Sequence, residues 1–320
     1  MPSLTAPPLA TVRRSRYTRD TAAPMFLTAD DLAIIRNIAK HRFLRSSHLT
    51  RLLQHRSDKK LVERLGVLFH NGLIDRPRAQ LDYYATAGSA PMVYALGNRG
   101  ATALAEVDGT HSAHVDWTDK NRTAGRLFIN HTLGVADVMV AIECAVNRRK
   151  DVRLIEPDEI LERAPRPKPM AHHPFVLKIR THHDGAPVDL AVIPDAVFGL
   201  DFIDKNTSKY FFLEADRATM PVMRASLAQT SMLRKFLAYR AGGGAGNAFG
   251  QQLGINNFRV LTVTTTRERM ETMVAALKEA TRDSGSRQFL FTDKATLANA
   301  ADVLTLAWTS GKGEAVRLVD

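Results

Sequence analysis

The stretch 188–217 constrains the fold of this chain more than any other. Two runs, 188–202 and 210–217, are rich in β-branched, aromatic and aliphatic residues. Apolar runs of this kind, bounded by turn-forming residues, predict two buried strands. The polar segment 203–209 between them fits a hairpin connection. Pro194 lies inside the first run and predicts a bulge or a strand start there.

Three carboxylates accompany these two strands. Asp195 directly follows Pro194, and Glu214 and Asp216 are two positions apart near the end of the second run. Side chains two apart on a strand point to the same face, so the three acids can converge on one surface of a sheet. Hard oxygen ligands of this kind suit Mg²⁺ or Mn²⁺. The alternative is that the acids cap strand ends or pair with nearby Arg and Lys side chains.

Charge and composition limit the classes of function. The 320-residue chain has a net charge of +11, which favours a polyanionic partner such as duplex DNA, although many basic proteins bind none. Its single cysteine, Cys144, excludes an intramolecular disulfide framework and a Cys-based zinc site. No run approaches the length of a membrane span and no secretory signal is evident, so we expect a cytoplasmic protein without a membrane partner.

The first third of the chain has the pattern of a small helical domain. Residues 1–25 are rich in Pro, Ala, Thr and Arg without periodicity, which predicts a disordered basic arm. Helices are predicted from Thr28 to about Lys40, over 46–53, and from Ser57 to the Asn71–Gly72 stop. Two strand candidates, 73–76 and 92–96, follow.

Three short helices followed by a β-hairpin are the order of a winged helix-turn-helix, which we predict for 26–107 as a DNA-binding domain. Its third helix would enter the major groove while the hairpin touches the backbone. The candidate DNA contacts on the third helix and in the hairpin are Arg56, Lys59, Lys60, Arg64, Arg76 and Arg78. The alternative is a winged helix that contacts protein and whose basic face is only solvated.

The rest of the chain predicts a second domain. Residues 108–119 are small and polar and predict a linker. A long helix over 120–147, and strands that alternate with helices beyond it, predict a mixed α/β sheet flanked by helices over 120–320. One of these helices is predicted to begin near Pro221 and end near Arg240.

Three motifs together resemble a known family. They are Asn130-His131 on the long helix, Ile193-Pro-Asp-Ala196, and Phe211-Phe-Leu-Glu-Ala-Asp-Arg217. Behind a winged helix, this combination resembles the replication-relaxation family of plasmid and mobile-element proteins, over about 27–266. The resemblance implies a role in plasmid DNA relaxation, replication control or conjugative mobilisation, often as an accessory to a relaxase.

The second domain also resembles the restriction-endonuclease-like fold, whose signature is Pro-Asp, a spacer, and Asp/Glu-x-Lys. Pro194-Asp195 and Glu214 match it, but Asp216 stands where the lysine belongs. The resemblance implies that this lysine positions and deprotonates the attacking water, whereas an aspartate adds negative charge beside an anionic transition state. Lys235, from the next helix, can substitute in space.

These observations give three candidate functions, in order of preference. The first is a DNA-binding accessory protein of mobilisation or replication, whose partners are duplex DNA, a relaxase or another mobilisation protein, and a second copy in a homodimer. The second is a Mg²⁺- or Mn²⁺-dependent nickase that uses Asp195, Glu214, Asp216 and Lys235. The third is a transcriptional regulator with a fused ligand-binding or dimerisation domain.

Overall fold

The chain folds into two compact units, Met1–Leu133 and Gly134–Asp320, in a computed structural model. The structure describes residues 16–21, 24–54, 57–80, 90–110, 115–165, 174–183, 186–244 and 247–320. Together they form a mixed α and β protein, as the sequence predicts. The predicted division into arm, winged helix, linker and second domain stays a prediction, because compactness alone does not show which segments fold independently.

The first unit alternates helices with a small antiparallel sheet. Its elements are α1 (Ala29–His41), β1 (Phe43–Arg45), α2 (Ser46–Leu53), α3 (Asp58–His70), β2 (Ile74–Asp75), β3 (Val93–Leu96), α4 (Asn98–Val107) and α5 (Trp117–Thr123). The strands lie in the order β1–β3–β2, and both pairings are antiparallel. The three predicted helices and the two predicted strands are confirmed, β1 was not anticipated, and α5 overlaps the start of the helix predicted over 120–147.

The helices of this unit begin where the sequence provides caps. The Thr28 side chain accepts a hydrogen bond from the Asp31 backbone, and the Asp31 carboxylate accepts one from the Thr28 backbone, which closes a capping box on α1. Ser57 caps α3 in the simpler way, by accepting from the backbone of Lys60. Leu61, Leu65 and Leu68 bury the inner face of α3 at the spacing of a helix.

Part of the segment predicted to be a disordered arm is held against α3 and β2. Arg19 donates from Nε to the carbonyl of Phe69 at 2.9 Å and forms an ion pair with the buried Asp75. Asp20 donates its backbone N–H to Nδ1 of His70 at 3.0 Å. Residues 16–21 of the arm are therefore ordered, whereas 1–15 and 22–23 lie outside the described residues.

The second unit is built on a seven-stranded sheet in the order β12–β11–β10–β9–β8–β7–β4. Strands β8, β9 and β10 are parallel neighbours and the other pairings are antiparallel, so the predicted mixed sheet is confirmed. The strands of the unit, of which β5 and β6 form a separate two-stranded sheet, are β4 (Val152–Ile155), β5 (Leu177–His183), β6 (Ala186–Val192), β7 (Ala196–Phe202), β8 (Thr207–Ala215), β9 (Phe258–Thr264), β10 (Phe289–Asp293), β11 (Trp308–Ser310) and β12 (Ala315–Val316). The helices are α6 (Arg126–Val146), α7 (Pro157–Glu162), α8 (Met232–Gly242), α9 (Ala248–Leu253), α10 (Arg267–Ala280) and α11 (Lys294–Asn299).

Both faces of this sheet are covered, because alternate side chains of β8 belong to two different hydrophobic cores. Phe212 packs with Phe236 and Tyr239 of α8 in one core, whereas Phe211 and Leu213 belong to the core on the other face. The alternation is that of a strand buried on both sides. Glu214 and Asp216 share the face of Phe212, so their side chains point to the α8 side.

Three predicted elements are wrong in detail. The helix predicted over 120–147 is divided into α5 and α6 at Ala124 and Gly125. The apolar run 188–202 is not one strand, because Ile193–Asp195 breaks it into β6, which pairs with β5 in a separate two-stranded sheet, and β7 of the large sheet. The helix predicted from Pro221 begins only at Met232, where Ser231 caps it. Proline lacks the N–H that a central strand would donate, which explains the break in the run 188–202 and agrees with the strand start predicted at Pro194.

Helix α6 corrects another expectation. It has 21 residues and is long and apolar enough to cross a membrane by length and composition, so the expectation that no run reaches a span's length is wrong. Half of its most apolar window is buried inside the structure. A buried core helix has the same length and composition, so this is weak evidence for a span.

Candidate functional site

The outer face of α3, defined here as Lys59, Val62, Glu63, Gly66 and Val67, is the first candidate site. Lys59, Val62, Glu63 and Val67 are exposed, whereas Gly66 is partly covered. Lys60 is also exposed beside this face, near the first turn of the helix. Two lysines, one acid and two valines thus face solvent along about two and a half helical turns.

Arg64 does not belong to this face. Its Nε donates to one carboxylate oxygen of Asp31 at 2.6 Å and its Nη2 donates to the other at 2.5 Å. The Asp31 side chain is fully buried. Burial alone would raise the Asp31 pKa, but the bonds from Arg64 and from Thr28 outweigh it, so the pKa is lowered. Arg64 therefore joins α3 to the capping box of α1, and its guanidinium group is not directed at a ligand.

The remaining predicted DNA contacts differ in their surroundings. The guanidinium of Arg76 lies 4.3 Å from the ring centre of Phe69 and donates from Nη1 to the carbonyl of Arg16 at 2.8 Å. Arg78 is exposed just after β2. Arg56 lies outside the described residues, as do residues 81–89 of the predicted hairpin.

The second candidate site is a buried polar cluster in the second unit, centred on Glu214. Its carboxylate accepts a hydrogen bond from Lys235 Nζ at 2.5 Å on Oε2 and from the Tyr239 hydroxyl at 2.6 Å on Oε1. Both partners lie on α8, four residues apart, and so face β8 from adjacent turns. The sequence expectation that Lys235 lies near Glu214 in space agrees with this geometry.

Burial determines the electrostatics of this cluster. Loss of water around the fully buried Glu214 raises the pKa of its carboxyl to about 7, and the nearby charge of Asp195 adds to the rise against the opposing effect of Lys235. Burial lowers the pKa of Lys235, but the charges of Glu214 and Asp195 outweigh it and the net shift is upward. The pKa of the Tyr239 hydroxyl is raised by burial and then by Glu214. The tyrosine thus stays a hydrogen-bond donor.

Asp195 and Asp216 have different partners from Glu214. Oδ2 of Asp195 accepts from the backbone N–H of Ala215 at 2.8 Å, which ties the start of β7 to the end of β8. Both oxygens of Asp216 are held by Arg269 of α10, at 2.5 Å from Nε and 2.9 Å from Nη2. A bidentate arginine pair of this kind is strong and directional. The position where the resemblance expects lysine therefore holds an acid that is paired with arginine.

These contacts decide whether the residues suit Mg²⁺ or Mn²⁺. Within the part of the chain that the structure describes, no group of three or more His, Cys, Asp and Glu side chains is placed to hold a metal ion. Both oxygens of Glu214 and both of Asp216 are engaged by protein donors, and the cations beside them are Lys235 and Arg269. The arrangement as it stands does not fit a resident metal, because its negative charge is already compensated by side chains.

Sequence reasoning missed several partners of the predicted site residues. Tyr239 and Arg269 lie 25 and 53 residues from the acids that they bind, and Asp31 lies 33 residues from Arg64. An aromatic residue four positions after Lys235 on a predicted helix was a weak signal for Tyr239. Nothing in the spacing pointed to Arg269.

The comparison with known families gives the identity of the chain. A model of the replication-relaxation family matches residues 35–251, from α1 to α9. The chain belongs to this family. The match includes α3 with its outer face and, in the second site, Asp195, Glu214 and Lys235, whereas Arg269 lies outside it. No curated protein and no solved structure matches this replication-relaxation protein.

Proposed function

We propose that this protein is a DNA-binding accessory protein of plasmid or mobile-element replication or mobilisation. Its first unit would act as a winged helix-turn-helix that binds duplex DNA, with α3 in the major groove and the β2–β3 hairpin against the backbone. Membership of the replication-relaxation family supports the biological setting. The order α1, β1, α2, α3, β2, β3 supports the DNA-binding unit.

The observation that carries this proposal is the free face of α3. The inner face is buried by leucines, whereas Lys59 and Lys60 are exposed near the N-terminus of the helix. Residues at the start of a recognition helix are those that reach base edges and flanking phosphates. Charge supports the same assignment, since residues 1–133 hold 19 Lys and Arg against 11 Asp and Glu, a net +8 of the chain's +11.

A gel-shift titration across a salt series tests this function. We expect the full chain to bind duplex DNA, and we expect the logarithm of the binding constant to fall linearly with the logarithm of salt concentration. Each neutralised phosphate contributes about −0.9 to that slope because bound counterions are released. Binding that is absent at 50 mM salt, or that does not depend on salt, would contradict the proposal.

The second unit supports a second candidate function, a DNA endonuclease of the restriction-endonuclease-like type. The specific observation is that Lys235 supplies an ammonium group beside Glu214, with Asp195 at the same end of the sheet. We rank it below the accessory role because Lys235 and Tyr239 occupy both oxygens of Glu214. In the accessory role, this unit serves as a platform for a relaxase or another mobilisation protein.

Incubation of the purified chain with supercoiled plasmid separates the two candidates. We expect the plasmid to stay supercoiled in the presence of Mg²⁺ or Mn²⁺, because the acids are already paired with protein cations. The matched control is Asp195→Asn, which keeps an oxygen to accept from the Ala215 N–H. Nicking by the wild type that disappears in this variant would establish the endonuclease, whereas nicking that persists in it would indicate a contaminating nuclease.

A further inference from the structure

A glycine in the middle of α3 has no structural reason in the folded chain. Gly66 occupies a helix-interior position, where glycine lowers helix stability relative to alanine. It is absent from the glycines with positive φ, so its backbone conformation is open to any residue. A Cβ built on it would meet only Nη2 of Arg76 at 3.7 Å, an ordinary contact.

Other glycines of the same unit show what a structural requirement looks like. Gly72, just after α3, has φ of +74°, which side chains rarely adopt. A Cβ on Gly97 or Gly100 would lie 2.4 or 2.1 Å from a backbone carbonyl oxygen. The fold therefore accounts for Gly72, Gly97 and Gly100, but it does not account for Gly66.

Two valines on the outer face of α3 flank this glycine. Val62 lies one turn before Gly66 and is 48% exposed, and Val67 follows it directly and is 40% exposed. Both are β-branched residues, which are weaker helix formers than leucine or alanine. A single exposed valine is ordinary. Two of them beside an unexplained glycine, on the face that also holds Lys59, indicate a surface shaped for close contact.

We propose that α3 approaches the floor of the DNA major groove at Gly66 and that Val62 and Val67 contact the C5-methyl groups of thymine. This inference rests on the proposed function and specifies what the site reads. Absence of a side chain at Gly66 permits close approach of the helix backbone to the bases. Apolar contact with a thymine methyl is a recognised form of direct readout in the major groove.

The charge on this face supports base contact over phosphate contact. Glu63 is exposed beside Val62 and Gly66, and a carboxylate there repels phosphates. A glutamate can instead accept a hydrogen bond from the N4 amino group of cytosine. Lys59 and Lys60, nearer the N-terminus of α3, are left to contact the flanking phosphates. The outer face of α3 would therefore contact the edges of thymine and cytosine bases, and the N-terminal end of the helix would contact phosphates.

The test uses a duplex selected by the wild-type chain from a random-sequence library, together with versions in which deoxyuridine replaces each thymine in turn. Deoxyuridine lacks only the C5-methyl group, so any loss of affinity measures contact with that methyl. We expect about a fourfold loss for each contacted methyl in the wild type. We expect no such loss at the corresponding position in Val62→Ala or Val67→Ala. The matched control is Val107→Ala, a 56% exposed valine at the end of α4 that should keep the wild-type response.

Gly66→Ala tests the close approach separately. Alanine favours the helix, so the melting temperature should rise, by about 3 °C. Affinity for the selected duplex should nevertheless fall at least tenfold, with an unchanged salt slope because the phosphate contacts remain. Wild-type affinity in this variant would overturn the close approach, and full binding of every deoxyuridine duplex by the wild type would overturn methyl readout. Failure of the wild type to bind any duplex would instead overturn the proposed function. The outer face of α3 would then be assigned to binding a protein partner.

Discussion

Reversal of both lysine charges at the start of α3, in Lys59→Glu/Lys60→Glu, should weaken binding to duplex DNA by about 100-fold at 50 mM salt. Both side chains are exposed, so the change should leave the folded unit intact. Each lysine that neutralises a phosphate releases about one counterion, and its loss makes the salt dependence shallower. The slope of log binding constant against log salt should therefore change by about 2. Gel shift or fluorescence anisotropy over 50–200 mM salt measures both quantities.

The matched control reverses the same charge elsewhere. Lys150 and Lys312 are exposed lysines of the second unit, and Lys150→Glu/Lys312→Glu lowers the net charge by the same amount. If the effect depends on where the charge lies, this control should lose little affinity and keep most of its salt slope. Equal losses in the two variants would show that overall charge drives binding and that α3 has no special role.

The helices of the first unit were predictable because local signals agreed with one another. For α3, a serine cap, leucines at helical spacing and an Asn–Gly stop all specify the same span. The strands β2 and β3 were found within one or two residues for a similar reason. The outcome for α8 shows the limit, because proline at 221 fits a first turn but the helix begins only after Ser231.

The candidate sites were less predictable because pairing across the fold has no local signal. Sequence placed Arg64 among the candidate DNA contacts, but only the folded chain shows that Asp31 of α1 binds it. Likewise, the spacing correctly put Glu214 of β8 and Asp216, just beyond the end of β8, on one side of the sheet. Which cation each acid meets depends on where α8 and α10 cross that face, and the acids therefore acquired separate partners, Lys235 and Arg269.

These contacts explain the aspartate at position 216, where the restriction-endonuclease-like signature has a lysine. A lysine there would lie on the same strand face as Glu214, two residues away. The chain instead carries Asp216, which is neutralised by Arg269, and it receives its ammonium group from Lys235 on the neighbouring helix. The pattern of one cation for each buried acid favours a cluster that holds β8, α8 and α10 together.

Removal of the Lys235 ammonium group should destabilise the second unit strongly and in a pH-dependent way. In Lys235→Met the apolar stem is kept while the partner of the buried Glu214 is lost, and breaking a buried pair in this way costs about 3 kcal/mol of unfolding free energy at pH 8. At pH 5 the loss should be much smaller. The Glu214 pKa of about 7 lies above the ordinary value of 4.5, so the folded state holds this carboxyl protonated at pH 5.

The direction of this dependence follows from proton linkage. The pKa of Glu214 is raised in the folded state, so protonation of its carboxyl contributes to the free energy of unfolding. This contribution is fully present below about pH 4.5 and is lost as the pH rises through about 7. The loss of Lys235 raises that pKa further and so deepens the penalty above pH 7. Glu214→Gln/Lys235→Met removes both charges, and the double variant should lose less stability than the sum of the two single variants.

Denaturant titration at pH 5 and pH 8 measures these free energies. Trp308 is fully buried in the second unit, so its fluorescence reports unfolding there when Trp117→Phe is the common background. The control is Arg180→Met, since Arg180 and Asp189 form an ion pair in which both side chains are more than 70% exposed. An exposed pair contributes little, so this variant should resemble the wild type at both pH values. An equal loss at pH 5 and pH 8 in Lys235→Met would mean that Lys235 stabilises the unit through the packing of its stem and not through its charge.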